Sequence, residues 1–316
     1  MEIGEILDQV LQVGFLAALI RVGAPLLIAT MGEMFAERAG VLNLGIEGIM
    51  LMGAMTGFSA AYFSGELWLG ILAAAVVGMV FGALMGVLTV SLGLSQHVSG
   101  LGVTLLCTGL AFFSYRLVFG QPSQPPSVEA FKTVPVPYLS DIPFLGPAVF
   151  DQFALVYIGF LLVPLSAFVL YRTSWGLNLR TVGENPHAAV AAGVGVSAAR
   201  YQALIISGML MGVAGAYLAL AQFNAFTFGV ISGRGWVCIA LVVLGQWDPW
   251  RCAAAALLFG AVDALQLRLQ SSGAIDLPYQ FFLMLPFVIT IVAMAVFSRR
   301  ARAPAALLVP FRREER

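Results

Sequence analysis

Residues 172–200 read RTSWGLNLRTVGENPHAAVAAGVGVSAAR, and residues 201–221 continue as YQALIISGMLMGVAGAYLALA. The first segment is polar and carries three arginines, whereas the second is an uninterrupted and mostly apolar run. A helix needs about 20 apolar residues to cross the hydrocarbon core of a bilayer, and the second segment reaches that length. The junction near residue 200 therefore predicts a membrane-spanning helix that follows a polar segment outside the bilayer.

The whole chain has the composition of a membrane protein. Hydrophobic residues make up 60% of its 316 residues, charged residues only 10%, and the mean hydropathy is +0.94. Soluble domains carry about 25% charged residues. The composition therefore predicts an all-α, polytopic transmembrane helical bundle, with residues 1–316 as a single domain. The formal net charge of zero gives no indication of nucleic-acid binding.

Several apolar runs are long enough to span a bilayer. They cover residues 10–31, 41–63, 67–93, 98–119, 152–171, 201–221, 252–270 and 279–298. A shorter run at 235–247 indicates a partial span. We therefore expect about 8 to 10 membrane segments, some of them discontinuous.

The few charges are unevenly distributed. Six arginines lie in residues 299–316, and three more lie in residues 172–200. The stretch at 120–151 has one lysine against three acidic residues. Because Lys and Arg accumulate on the cytoplasmic side, the pattern predicts a cytoplasmic loop at 172–200, a basic cytoplasmic tail at 299–316 and an extracytoplasmic loop at 120–150. The orientation of the N-terminus stays open.

Within the polar loop, the residue order predicts a short helix with both ends marked. Asn185 is a favourable N-cap, and Pro186 suits the first helical position, where its missing N–H costs nothing. Gly193 suits the left-handed position after the last turn. Such a helix is about 10 Å long, too short to span a membrane. We interpret it as a rigid element that docks into a partner; the alternative is an amphipathic linker on the membrane surface.

The sequence contains a weak internal repeat. LNLGIEGIMLMGAM (42–55) and VISGRGWVCIALVVLG (230–245) each pair a glycine-flanked charge with an apolar run, and each precedes a further helix that begins with tryptophan. This pattern is typical of two structural repeats with discontinuous helices in corresponding places. The strings GMVFG (78–82) and GMLMGVAG (208–215) place small residues four apart, which predicts close helix packing.

Residues 37–48 form the densest polar string near the membrane. If a helix begins near Val41, Glu47 lies about 9 Å along it, roughly a third of the way across the hydrocarbon core. A carboxylate at that depth is costly unless it has partners. Two hypotheses remain equal here: Glu47, with Asn43, lines a translocation pathway, or Glu47 is a structural clamp that caps a neighbouring helix or pairs with an arginine.

Three further charges lie in or beside apolar runs, where exposure to lipid would be costly. We expect Arg21 to form an interhelical salt bridge rather than a ligand contact. For Arg234 and Asp263, a place on the translocation pathway and a structural role are equal alternatives.

The chain lacks the motifs of an enzyme. Its only lysine, Lys132, follows Phe131, so there is no Gly-Lys-Ser/Thr ending of a P-loop and ATP would have to be bound by a partner subunit. The two histidines, His97 and His187, lie in different segments, and no hydrolase grouping is indicated. The sequence indicates no metal site and no cofactor in this chain. We interpret the cysteines as small buried residues: Cys107, Cys238 and Cys252.

Taken together, four segments resemble the transmembrane permease subunits of bacterial ABC importers. The resemblance covers residues 20–298 and is narrowest to the branch for simple sugars and nucleosides, which is related to the branched-chain amino acid and ribose permeases. The segments are ERAGVLNLGIEGIMLMGAMTG (37–57), VGENPHAAVAAGVGVSAARYQALIISGMLMGVAGAYLAL (182–220), SGRGWVCIALVVLGQWDP (232–249) and LFGAVDALQLRLQ (258–270).

The resemblance implies a multi-pass protein of the bacterial inner membrane that is not itself an enzyme. Its partners would be an ABC ATPase subunit, a second and different permease subunit, and an extracytoplasmic substrate-binding lipoprotein. It also implies a coupling helix that fits a groove on the ATPase. By resemblance, that role falls on Glu184, Asn185, Pro186, His187, Ala188, Ala189 and Gly193.

The substrate that the resemblance implies is a nucleoside or nucleobase, with a simple sugar as the alternative. An ion-coupled secondary transporter would also suit repeats and broken helices. The small number of His and Cys residues argues against an intramembrane enzyme.

Overall fold

The structure is a computed structural model that describes residues 13–122, 124–143, 145–272, 284, 287–292, 295 and 302–311. Seven of its helices are long and apolar enough to cross a membrane, and a shorter apolar helix covers Arg234–Leu244. These elements coincide with the predicted runs up to residue 270, so the prediction of an all-α transmembrane bundle is confirmed. The last predicted span, 279–298, falls mainly outside the described residues, although 287–292 are helical.

The elements follow one another in a simple order. They are α1 (Val13–Arg38), α2 (Ile46–Ser64), α3 (Leu67–Gly86), α4 (Gln96–Phe119), β1 (Thr133–Pro135), α5 (Leu145–Val149), β2 (Asp151–Phe153), α6 (Ala154–Arg172), α7 (Ser174–Glu184), α8 (Pro186–Ala191), α9 (Val196–Tyr217), α10 (Arg234–Leu244) and α11 (Pro249–Ser272). Short π-helical turns continue α3 at Val87–Ser91 and α9 at Leu218–Gln222.

Glycines allow two pairs of long helices to pack closely. Between α3 and α9, a Cβ on Gly78 would lie 2.1 Å from the carbonyl oxygen of Gly208, so neither position accepts a side chain. Between α1 and α11, a Cβ on Gly260 would lie 2.8 Å from the Cα of Gly23. The predicted packing role of the glycine-rich strings is therefore confirmed, in agreement with the close approach that small residues permit in membrane bundles.

The predicted sequence repeat places α2 (Ile46–Ser64) and α10 (Arg234–Leu244) in corresponding positions. In chain order, α1 then corresponds to α9 and α3 to α11. Each of these last two helices follows an irregular segment, 39–45 before α2 and 223–233 before α10. Their N-terminal ends meet inside the bundle, where a Cβ on Gly235 would lie 2.7 Å from the Cα of Glu47. Irregular segments therefore precede helices at corresponding places of the predicted repeat, and the starts of these two helices are in contact.

The proline-rich loop between α4 and α6 has more structure than the sequence predicted. Strands β1 and β2 pair in antiparallel fashion, and α5 lies between them. Arg21 reaches this loop: its Nε donates to Gln152 Oε1 at 2.8 Å, and its Nη2 donates to the carbonyl oxygen of Asp151 at 3.3 Å. Within the described residues Arg21 forms no interhelical salt bridge, because the loop satisfies the guanidinium instead.

Candidate functional site

Helix α8 has the ends that its sequence predicted. The Oδ1 atom of Asn185 accepts a hydrogen bond from the backbone N–H of Ala188 at 3.0 Å, and Pro186 occupies the first turn. After the helix, Gly193 has a φ of 82°, and its N–H donates to the carbonyl oxygen of Val190 at 2.9 Å. These caps satisfy backbone groups that a six-residue helix would otherwise leave to water.

A second helix, α7, precedes α8 and was missed from the sequence. Thr173 caps it by accepting a hydrogen bond from the N–H of Gly176 at 3.1 Å. The buried face of α7 comprises Gly176, Leu179, Val182 and Gly183. That spacing and the Thr173 cap were the signals that could have identified the helix, but the arginines and glycines of this segment favoured a loop interpretation.

The six residues of α8 divide between an inner and an outer face. Ala189 is completely buried against a small cluster formed by Val182, Val196 and Ala199. Glu184, Asn185, His187, Ala188 and Gly193 are exposed, and Pro186 is half-buried. Ala189 therefore belongs to the packing beneath the helix, and the other residues of the predicted coupling segment form the surface open to a partner.

Glu47 lies where the two halves of the repeat meet. Helix α2 begins at Ile46 and not near Val41, so Glu47 is in its first turn. Its Oε1 accepts a hydrogen bond from the backbone N–H of Gly233, and its Oε2 accepts one from the backbone N–H of Gly235, both at 2.8 Å. A carboxylate is well suited to this place, because the unpaired N–H groups at a helix start attract negative charge. The geometry is that of the structural alternative, in which Glu47 caps a neighbouring helix.

Arg234 and Asp263 are also brought together at the start of α10. The Nη2 atom of Arg234 lies 3.3 Å from Asp263 Oδ2, with the side chains 18% and 12% exposed. The ion pair links α10 to α11, whereas Glu47 links α10 to α2. Three of the four predicted pathway candidates therefore surround a single helix start.

Asn43, the fourth candidate, is buried in the turn that precedes α2. Its Oδ1 accepts the N–H of Gly45 at 3.0 Å, and its own N–H donates to Glu33 Oε1 at 2.9 Å. Its amide nitrogen lies 3.7 Å from the sulfur of Met211. All these contacts are made within the protein, so Asn43 shapes the irregular segment 39–45.

A pair of buried carboxyl groups was missed from the sequence. Glu33 and Glu37 lie one turn apart on α1 and are 0% and 1% exposed. Glu37 Oε2 accepts the indole N–H of Trp247 at 2.6 Å. The remaining oxygens, Glu33 Oε2 and Glu37 Oε1, are buried, and the two carboxyl groups contact each other. The four-residue spacing of two acids at the end of an apolar run was the available signal.

The cysteines have the environment that was expected. Cys107, Cys238 and Cys252 are unpaired and buried. Their prediction as small buried residues is confirmed.

Comparisons with known proteins identify relatives over most of the chain. TsgC13 of Haloferax volcanii, a permease protein of an ABC transporter assigned to glucose, is 43% identical over 82% of this chain and 78% of its own length. The guanosine ABC transporter permease protein NupQ of Bacillus subtilis is 35% identical over 91% of this chain and 93% of its own. The nucleoside ABC transporter permease protein NupC of Lactococcus lactis subsp. cremoris is 37% identical over 89% and 91%.

A solved structure shares the fold. It shows an ABC transporter assigned to the metal-chelate type in an inward-facing conformation, with a TM-score of 0.53 and 17% identity over 89% of this chain and 85% of that chain. The family model described as branched-chain amino acid transport system / permease component matches residues 15–294. The chain therefore belongs to this family, as a multi-pass permease subunit of an ABC transporter.

Proposed function

We propose that this permease translocates a nucleoside or nucleobase into the cell, driven by ATP hydrolysis on a partner subunit. The observation that carries the proposal is the identity of 35% and 37% to the guanosine and nucleoside permeases over about nine-tenths of the chain. A simple sugar is the second candidate, and the 43% identity to a permease assigned to glucose favours it.

The energy for transport enters at α8, which serves as the coupling helix. The surface formed by Glu184, His187 and Ala188 is exposed, and its caps make it a defined shape rather than a variable loop. The arginines at 172, 180 and 200 favour a cytoplasmic position for this loop, the side on which ATP is available. A groove of the ATPase subunit receives α8.

A second permease subunit completes the membrane channel. Only 22% of the residues in the apolar stretch of helix α4 are buried inside this chain. Large apolar side chains such as Leu105, Phe113 and Leu117 are exposed on this helix. Lipid or a partner helix must cover such a surface. The guanosine transporter of Bacillus subtilis has two permease proteins among the relatives, NupQ and NupP, which favours a heterodimer. An extracytoplasmic substrate-binding lipoprotein would deliver the substrate.

The junction at α10 suits an alternating-access mechanism. Glu47 and the Arg234–Asp263 pair attach the start of α10 to α2 and to α11. The two halves of the repeat then move as connected bodies when the partner ATPases close. Rocking of one repeat against the other opens the pathway to alternate sides in transporters built this way.

Ligand binding by the cognate substrate-binding protein tests the substrate class. Calorimetric titration of that purified protein with guanosine, adenine and glucose should give binding of a purine compound and none of glucose. Binding of glucose alone would replace the nucleoside proposal with the sugar alternative. Cells that express the complete transporter should likewise take up the purine compound and not glucose. This uptake should require ATP rather than a proton gradient.

Replacement of Ala191 by aspartate tests the coupling role of α8. Ala191 is exposed on the last turn of α8, so Ala191→Asp places a charge on the exposed side of the helix and leaves the buried side intact. We expect less ATPase subunit to co-purify with this variant and uptake to fall. Ser197→Asp, an equal charge change at an exposed residue beyond α8, is the matched control. Normal co-purification and uptake with Ala191→Asp would refute the coupling assignment.

A further inference from the structure

Residues 302–311, which we call the C-terminal strap, pack against the end of α7. The backbone N–H of Ala306 donates to the carbonyl oxygen of Gly183 at 2.8 Å, and only 5% of Ala306 is exposed. Gly183 stands two positions before Asn185, the N-cap of α8. The strap therefore contacts the chain immediately before the coupling helix.

Arg200 connects the strap to the turn that follows α1. Its side chain is 1% exposed; its Nε donates to the carbonyl oxygen of Ala39 at 3.2 Å, and its Nη1 donates to the carbonyl oxygen of Val309 at 3.3 Å. Gly40 provides the space for this side chain, since a Cβ there would lie 3.1 Å from Nη2. One guanidinium thus joins two distant segments, which the single ammonium of a lysine reproduces poorly.

The end of the strap reaches α8 itself. The rings of Phe311 and His187 are 5.3 Å apart between centroids and inclined by 64°, a favourable edge-to-face arrangement. Phe311 also packs against the cluster beneath α8 that contains Ala189. The coupling helix is therefore held from below by that cluster and from the side by Phe311.

Such support is important because α8 is very short. Isolated helices of fewer than about 12 residues are marginal in water, and α8 has six. Its position must therefore come from tertiary contacts. The cluster beneath α8 provides some of these contacts, and the strap provides others. Through Arg200 the strap is also attached to Ala39, at the beginning of the irregular segment 39–45 that leads to Glu47.

We propose that the C-terminal strap braces the coupling helix against the bundle, so that a movement of α8 is transmitted to the turn at residues 38–40. Phe311 and Arg200 are the positioning residues of this brace. The inference rests on the proposed coupling role of α8, and it adds a segment that is remote from α8 in sequence.

Hydrogen exchange of the permease alone, in lipid nanodiscs, tests the brace without any ATPase. Phe311→Ala should raise the exchange rate of the backbone amides at 187–193 about three- to ten-fold, since it removes one aromatic contact from a marginal helix. Val309→Ala is the matched control, because Val309 contributes only its backbone oxygen to Arg200 and its side chain is 52% exposed. Unchanged exchange in Phe311→Ala would overturn the proposal.

The assembled transporter, with its ATPase, partner permease and binding protein, tests the consequence for transport. In Phe311→Ala and Arg200→Lys, the ATPase should co-purify normally, while substrate uptake per ATP hydrolysed falls about three- to ten-fold. Phe311→Tyr, which keeps the aromatic ring, should restore the uptake per ATP hydrolysed. Loss of the ATPase from Phe311→Ala would show a direct partner contact and refute the brace.

The two proposals fail in different ways. If α8 has no coupling role, Ala191→Asp is silent while the exchange result remains. If only the brace proposal is wrong, Ala191→Asp impairs transport, while Phe311→Ala has the same hydrogen-exchange rates and the same transport as the unaltered protein.

Discussion

Two helices in this protein are capped at their N-terminal ends by residues at very different distances in the sequence. Helix α8 is capped by Asn185, the residue directly before it, at an exposed position. Helix α10 is capped by Glu47, which is 186 and 188 residues away from the two N–H groups that it accepts. The adjacent cap shapes one short helix, whereas the distant cap connects the two halves of the bundle. In both cases a side-chain oxygen accepts hydrogen bonds from N–H groups at a helix start. The interaction stabilises a local surface helix in one case and the packing of distant helices in the other.

The two caps also differ in strength. An exposed asparagine cap contributes about 1 kcal/mol, because water competes for the same N–H groups. Hydrogen bonds to a charged group contribute about 1.5–3 kcal/mol each, and Glu47, which is half-buried, accepts two of them. The following substitutions should separate the two kinds of cap.

The largest effect is expected from Glu47→Ala. Loss of two charge-assisted hydrogen bonds should destabilise the protein by about 3 to 6 kcal/mol and sharply reduce the yield of folded permease. Thermal unfolding in detergent, followed by size-exclusion chromatography, measures it. Glu66→Ala, at an exposed position, is the control. A variant as stable as the control would show that Glu47 does not hold α10.

Glu47→Gln separates the clamp from a pathway role. Glutamine keeps one acceptor oxygen. If Glu47 is a structural clamp, Glu47→Gln should therefore reduce the yield of folded protein less than Glu47→Ala does, and the protein that folds should transport normally. Normal yield with strongly altered transport would instead indicate that the carboxylate acts on the translocation pathway.

A somewhat smaller effect is expected from Asp263→Asn, which leaves Arg234 without its ionic partner. Loss of one member of a buried ion pair costs about 3–5 kcal/mol, and the partial exposure of both side chains should reduce this to about 2–4. The same thermal assay applies. Asp141→Asn in the exposed loop should leave the melting temperature unchanged, and equal stability of the two variants would exclude a bracing role for the pair.

Removal of the local cap should have a confined effect. Asn185→Ala should cost about 1 kcal/mol and increase hydrogen exchange only in residues 186–193, with the global melting temperature preserved. Asn185→Asp keeps an acceptor and should behave normally. A global loss of stability from Asn185→Ala would contradict the distinction between the two caps.

The smallest effect is expected from Pro186→Ala. At the first helical position, proline gives up an N–H that has no partner in the helix, and alanine is the best helix former. The change in local stability should be below about 0.5 kcal/mol, as measured by exchange in the same residues. A large loss of transport without a change in exchange would show that the ring itself contacts a partner.

Local features of this protein could be predicted from its sequence because they depend on neighbouring residues. Asn185, Pro186 and Gly193 mark the ends of α8 through side-chain and backbone preferences that act over a few positions. The membrane spans could be predicted for a similar reason, since length and apolarity alone satisfy the bilayer. The start of α2 was placed five residues too early, at Val41 instead of Ile46, because the irregular segment 39–45 is itself apolar and is held by tertiary contacts.

By itself, the sequence determined that the chain is a membrane helix bundle with internal repeats and a short capped helix in its polar loop. The tertiary structure alone decided that Glu47 caps α10, that Arg234 and Asp263 pair, and that the strap reaches α8 through Arg200 and Phe311. The physical reason is the sequence distance over which each kind of interaction acts. Caps, turns and hydrophobic runs follow from preferences of adjacent residues, whereas a partner for a buried charge is specified only when distant helices have packed together.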